Sequence, residues 1–186
     1  MEYEVKYKIK SIDEIMQKVE ELSCIDLGKQ NELDVYFCIN GKDLRIRKWD
    51  KHGLITYKEA FFNESKVKIR KETETNINDV DSFLEILNKL GLSESRRKEK
   101  LRHTFKLNDD YILIDKFPFL GYYVELESSS KEKLISLSEK LGFDFSKSIS
   151  KSYEDLFRSY KILNKNLHDY LMPTFENERE QGNKGT

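Results

Sequence analysis

The stretch "EYEVKYKI" (residues 2–9) alternates charged and apolar residues without a break. In an extended strand successive side chains point to opposite faces, so Glu2, Glu4, Lys6 and Lys8 share one face while Tyr3, Val5, Tyr7 and Ile9 share the other. Either the charged face meets water or it is a site. The same period of two recurs in "DLRIRKW" (43–49), "LITYKEA" (54–60), "KVKIRKETET" (66–75), "KEKLRHTF" (98–105), "YILIDKF" (111–117) and "YYVELES" (122–128), with a mixed run at "LDVYFCI" (33–39). With the opening stretch, these make eight strand segments. Asn40-Gly41 favours a two-residue type I′ turn, and "DKHG" (50–53) and "NDD" (108–110) punctuate the chain in the same way. Strands joined this tightly must be antiparallel.

Other segments carry a helical period. "SIDEIMQKVEELSC" (11–24) places Ile12, Ile15, Met16, Val19 and Leu22 on one face, with Ser11 and Glu14 spaced as a capping box. "NDVDSFLEILNKLG" (78–91) does so with Val80, Phe83, Leu84, Leu87 and Leu90, and "KEKLISLSEKLG" (131–142) with Leu134, Leu137 and Leu141; each stops at a glycine. A further helix is expected from Ser152 to about Leu163. Residues 1–163 read as one domain, and the polar end, 164–186, as an extension expected to be partly disordered.

Charged residues make up 36% of the 186, yet Lys+Arg 33 against Asp+Glu 34 leaves a formal net charge of only -1. No bulk positive field exists to bind nucleic acid in general. No apolar run approaches the roughly 18 to 20 residues that span a bilayer, so the expectation is a cytoplasmic protein with no membrane partner. Cys24 and Cys38 with three scattered histidines form neither a disulfide framework nor a zinc pattern, and both cysteines read as reduced packing residues.

Laid side by side, the like-face charges of the strands are Glu2, Glu4, Lys6, Lys8, Arg45, Arg47, Lys58, Arg70, Glu72, Glu74, Lys100, Arg102, Asp115, Glu125 and Glu127. One reading is an antiparallel sheet with a wet, salt-bridged face. Two features point elsewhere. Glu-x-Glu occurs at 2/4, 72/74 and 125/127, which sets same-side carboxylates about 6.6 to 7 Å apart along a strand. Clustered carboxylates repel unless a cation joins them, and an oxygen-only acidic set suits hard ions such as Mg²⁺ or Mn²⁺. The face also carries almost no Ser, Thr, Asn or Gln, which a solvated face usually mixes in. An eight-stranded antiparallel sheet can close into a barrel with the charged face inward and the amphipathic helices covering the apolar outside. A polyanion carrying a metal fits such an interior, with arginines and lysines on phosphate oxygens and carboxylates on the ion.

The chain at this point resembles the CYTH superfamily, the triphosphate tunnel metalloenzymes, whose members include class IV adenylyl cyclases, thiamine triphosphatases, inorganic triphosphatases and fungal RNA triphosphatases. The family motif Glu-x-Glu-x-Lys appears as "EYEVK" (Glu2, Glu4, Lys6). It is followed in the family's order by "DVYF" (34–37), "LRIR" (44–47), "TYK" (56–58), "RKETE" (70–74), "KLRHTF" (100–105), the aspartate of "LIDKF" (113–117), "LGYYVELE" (120–127) and "SYEDLF" (152–157). The chain departs from the family after "TYK", where Glu59-Ala60 stands in place of the usual Gly-Pro.

The resemblance implies an α+β fold built on a closed eight-stranded antiparallel β-barrel, a tunnel, with helices packed outside. It implies that Glu2, Glu4 and Glu127 hold one divalent ion, Mg²⁺ or Mn²⁺, with Glu74, Asp115 and Glu125 near it or near a second. Lys6, Arg45, Arg47, Lys58, Arg70, Lys100 and Arg102 grip a triphosphate, and Lys8 on the same face joins them. Lys100 is preferred to Lys98 because of its spacing from Arg102. Lys6 and Glu4 are the candidate catalytic residues. Asp34 and Tyr36 are as readily structural as catalytic, and Tyr153 either lies over the site or simply packs. The expected function is a metal-dependent triphosphatase acting on a small triphosphate compound. The alternatives are a class IV adenylyl cyclase and a non-catalytic nucleotide- or polyphosphate-binding module.

Overall fold

The structure is a computed structural model that describes residues 3–62, 68–164 and 174–183, apart from the side chains of 58–72 and 181–183. Its strands are β1 (Tyr3–Ile9), β2 (Ile25–Ile39), β3 (Lys42–Trp49), β4 (His52–Phe62), β5 (Lys68–Ile77), β6 (Glu94–Leu107), β7 (Asp110–Phe117) and β8 (Gly121–Ser128). The helices are α1 (Asp13–Glu21), α2 (Val80–Lys89), α3 (Lys131–Lys140), α4 (Tyr153–Leu163) and α5 (Phe175–Asn183). All eight expected strands form, but β2 begins well before "LDVYFCI" and β6 well before Lys98. Asn40 and Gly41 both have positive φ, 52° and 75°, as a type I′ turn between β2 and β3 requires.

The strands hydrogen-bond in the order β1-β8-β7-β6-β2-β3-β4-β5, an eight-stranded antiparallel sheet. This order is open where a closed barrel was expected: β1 and β5 end it, and among the described residues no pairing joins them. The outer edge of β1 is occupied instead. The Lys6 N–H donates to the Ile149 carbonyl at 3.2 Å, and the Ile149 N–H returns a bond of 2.8 Å to the Lys6 carbonyl.

The chain forms two compact units. The first contains β1, α1, β2 as far as Gln30, β6 from Lys100 onward, β7, β8, α3, α4 and α5. Its core joins the apolar faces of the strands, Val5, Tyr7, Phe105, Ile112, Ile114, Val124 and Leu126, to Ile15 and Val19 of α1 and to Leu134, Leu137 and Leu141 at α3. Each such aliphatic side chain removed from water contributes about 1.5 to 3 kcal/mol, which is what holds the two helices to the sheet. The Tyr7 hydroxyl donates to Ser138 Oγ (2.9 Å), and Ser138 donates to the Leu134 carbonyl (2.8 Å), so the buried polar atoms at this seam are satisfied.

The second unit runs from Asn31 to Glu99. Val35, Phe37, Leu44 and Ile46 pack on Val80 and Leu87 of α2, with Phe83 and Leu84 partly buried beside them. Leu90, expected on this apolar face, is exposed because the helix ends at Lys89 and carries it past the core. The expected capping box at Ser11 is absent too. The helix starts at Asp13 with Ile12 as its N-cap, so Glu14 falls one position short of the box. Cys24 packs at the edge of the first core, whereas Cys38, on the strand face of Asp34 and Tyr36 but next to the end of β2, is exposed. The polar end of the chain, expected to be partly disordered, holds α5, whose Glu178 accepts a 2.8 Å hydrogen bond from the Phe119 N–H.

Candidate functional site

Strand pleat and register place the charged residues of the first unit. Lys6 lies opposite Glu125 and Glu4 opposite Glu127 across β1 and β8, while Arg102 lies opposite Asp115 across β6 and β7. The face that these residues share is withdrawn from water at its centre, although Glu4 at its margin is exposed. Lys6 is 4% exposed and Asp115 0%, and Lys100 and Glu125 are also buried. Lys6 Nζ reaches Glu4 at 2.6 Å and Glu125 at 3.2 Å. Arg102 donates Nε and Nη2 to the two Asp115 oxygens, each at 2.7 Å, and Nη2 also reaches Glu125 at 2.8 Å. Lys100 Nζ stands 3.3 Å from Asp115. Buried charges persist only when paired and hydrogen-bonded in this way.

Glu4, Glu125 and Glu127 each present a carboxylate oxygen within 4.8 Å of the others. A hard divalent cation takes oxygen donors at such spacing, so the donor set fits Mg²⁺ or Mn²⁺. Burial works against the Glu4 carboxylate, but the hydrogen bond and charge of Lys6 outweigh it and hold its pKa below 4.5. For Glu125 burial wins over the charges of Arg102, Lys6 and Lys100, and Asp115 adds to it, so its pKa is raised. Glu125 is therefore the carboxyl of the group with most to gain from a bound cation. Lys6 remains a firm cation. Its burial favours the neutral amine, but Glu125 and Glu4 raise its pKa above 10.5. Asp115 is not one of the three clustered acids. Its oxygens are engaged by Arg102 and Lys100, which outweigh burial and lower its pKa.

The second unit carries its own charged face. Arg45 and Thr56 are direct neighbours across β3 and β4, as are Thr56 and Glu74 across β4 and β5. Arg45 Nη2 donates to Thr56 Oγ1 (3.0 Å), and that hydroxyl donates to Glu74 (2.6 Å). Arg47 holds Asp34 through Nε (2.7 Å) and Nη2 (3.0 Å) and stands 3.4 Å from Glu32. Asp34 is 1% exposed; burial raises its pKa, but Arg47, Lys98 and Arg45 together bring it down to about 2. Asp34 thus orients Arg47.

Of the residues expected at the site, the structure brings together Glu4, Lys6, Lys100, Arg102, Asp115, Glu125 and Glu127 in the first unit, and Arg45, Arg47 and Glu74 in the second. Lys8 is exposed, with its Nζ 5.8 Å from the Tyr123 ring, outside the buried set. Glu2 and the side chains of Lys58 and Arg70 lie outside the described residues. Arg96 and Lys98 are among the residues that the sequence reading did not select. Lys98 Nζ lies 3.5 Å from Asp34, and Arg96 stacks on the Tyr36 ring at 3.9 Å while pairing with Asp43. Their signal was available, because 96, 98, 100 and 102 share one parity on β6 and hence one face.

A CYTH domain family model matches residues 1–160. A Methanocaldococcus jannaschii protein named "Putative adenylate cyclase" is 29% identical over 174 residues, 84% of this chain and 98% of its own. A solved structure from Pyrococcus horikoshii is 28% identical with a TM-score of 0.64, covering 82% of this chain and 97% of that one. Another, from Pyrococcus furiosus, is 26% identical with a TM-score of 0.65, covering 82% and 98%. With a family match over most of its length, and with the motif residues Glu4 and Lys6 in direct contact, this chain belongs to the CYTH family.

Proposed function

We propose that this protein is a divalent-metal-dependent phosphohydrolase acting on a small triphosphate compound: inorganic triphosphate, thiamine triphosphate or a nucleoside triphosphate. The observation that carries this reading is the juxtaposition of Glu4, Glu125 and Glu127 with Lys6 and Arg102, an acidic cluster that runs from the buried Glu125 to the exposed Glu4. It offers hard-cation ligands and phosphate-binding cations on one strand face. Glu4, Glu125 and Glu127, joined on the family motif by Glu2, hold Mg²⁺ or Mn²⁺. When bound, the ion polarises phosphoryl oxygens and offsets their charge.

Lys6, Lys100 and Arg102 are the phosphate ligands of the first unit. Arg45, Arg47, Lys58 and Arg70 are those expected of the second, with Lys8 a peripheral addition. Asp115 aims Arg102 and Lys100, Asp34 aims Arg47, and Glu74 steadies Arg45 through Thr56. These carboxylates fix the cations before substrate arrives, so little reorganisation is needed as charge develops on the phosphoryl oxygens. In hydrolysis, water attacks the terminal phosphorus, its bond to the bridging oxygen breaks, and phosphate and diphosphate leave.

The second reading is a class IV adenylyl cyclase, favoured by the name of the Methanocaldococcus jannaschii relative. There the ribose 3′-hydroxyl attacks the α-phosphorus and diphosphate leaves with formation of cyclic AMP. Incubation with inorganic triphosphate, thiamine triphosphate and ATP, each with and without Mg²⁺ or Mn²⁺, separates the two by product. Orthophosphate release supports the first reading. Cyclic AMP as the main product from ATP replaces it with the second, and binding without turnover overturns both.

A further inference from the structure

The sequence "KSYEDLF" (151–157) opens α4, and the charged face of the first unit is where its first residue goes. Ser152 is the N-cap, its Oγ accepting from the Asp155 N–H at 3.2 Å, so Tyr153 occupies the first helical position. The Tyr153 ring lies on Phe117 with centroids 3.8 Å apart, meets Tyr123 edge-on at 5.4 Å, and has Lys6 Nζ 5.5 Å from its centroid. Phe117 and Tyr123 share the strand faces of Asp115 and Glu125. Tyr153 therefore packs on the charged side of the sheet, not on the apolar side covered by α1 and α3.

Tyr153 is 7% exposed, and its hydroxyl oxygen is buried with no hydrogen-bond partner among the described residues. A buried hydroxyl left unpaired is a standing penalty that a phenylalanine would avoid while keeping both ring contacts. Packing therefore accounts for the ring but not for the oxygen. The neighbouring charged donors are already engaged with carboxylates: Lys6 with Glu4 and Glu125, Arg102 with Asp115 and Glu125, and Lys100 with Asp115. Burial, reinforced by the negative charges of Asp115 and Glu125, keeps the phenol protonated, so it can only enter an anion's coordination as a neutral donor.

We infer that Tyr153 is a ligand-binding residue of this site whose hydroxyl donates a hydrogen bond to a phosphate oxygen of the bound triphosphate. The inference rests on the proposed triphosphate reading. It adds a substrate contact from a helix to those supplied by the strands.

The test is calorimetric titration of the full chain with imidotriphosphate, a non-hydrolysable triphosphate, in Mg²⁺, comparing wild type with Tyr153→Phe. Loss of a hydrogen bond to a charged oxygen is expected to weaken binding about ten-fold or more. The urea midpoint of the ligand-free variant should stay level or rise, since the variant loses only an unsatisfied group. A purely structural role would move the midpoint down and leave affinity alone. Tyrosine difference absorbance on adding the ligand gives a second readout, expected in wild type and diminished in the variant. Equal affinities with wild type binding tightly would overturn the role of the hydroxyl alone. Failure of wild type to bind imidotriphosphate would overturn the triphosphate reading and this inference with it.

Discussion

Arg102 and Asp115 face each other across β6 and β7, joined by two hydrogen bonds of 2.7 Å with Asp115 fully buried. The same guanidinium bonds Glu125 at 2.8 Å, so one arginine serves two buried carboxylates. The pair presents a preset cation on the charged face, and its geometry makes the two residues interdependent.

Replacing Arg102 by Met removes both guanidinium bonds from the buried Asp115, leaving it the longer contact with Lys100, and is expected to cost about 3 to 5 kcal/mol, read from urea unfolding. Combining it with Asp115→Leu should recover part of that loss, because the buried carboxylate short of donors is gone while Lys100 gives up its Asp115 contact. A double variant as unstable as the single one would show that the cost lies elsewhere.

Asp34 supplies a pH dependence. Its folded pKa, about 2, lies below the ordinary 3.8, so the group adds stability above pH 3.8 that is lost as pH falls through about 2. The contribution is roughly 2 kcal/mol. Asp34→Asn should flatten the acid limb of stability against pH between these two values. An unchanged limb would assign acid unfolding to other carboxyls.

Metal binding should be visible without substrate. If Glu4, Glu125 and Glu127 hold the ion, Mn²⁺ at a hundred times its Kd stabilises the folded chain by about 2.7 kcal/mol, seen as a rise in Tm that EDTA reverses. Glu4→Gln with Glu127→Gln should abolish the rise, whereas Asp81→Asn, at an exposed ion pair with Lys48, should leave it intact. A rise retained in the double variant would place the ion elsewhere.

Gly53 is a packing constraint at the start of β4. A Cβ there would sit 2.3 Å from the Arg47 carbonyl oxygen and 2.5 Å from Val80 Cγ2. The oxygen belongs to the β3 backbone and cannot swing aside. Gly53→Ala should therefore destabilise by about 1 to 3 kcal/mol in chemical denaturation, and a neutral result would mean that the β3 backbone at Arg47 and α2 at Val80 both yield.

Much of this architecture was legible from one dimension. The period of two from Tyr3 to Ile9 and in the later strands identified which side chains share a face, and the apolar spacing of Ile15, Val19, Leu134 and Leu137 identified the helices that cover the other face. Pleat and helical pitch are local geometry, so residue order suffices to determine them. That Glu4 and Lys6 share a strand face was readable for the same reason. Only the tertiary structure decided the rest. Register chose Glu125 for Lys6 and Asp115 for Arg102, and Ile149 took the edge of β1. It also carried Tyr153, whose sequence neighbours are those of any capped helix, onto the charged side with its hydroxyl unpaired among the described residues. Such pairings depend on contacts between residues distant in sequence, and no local period encodes them.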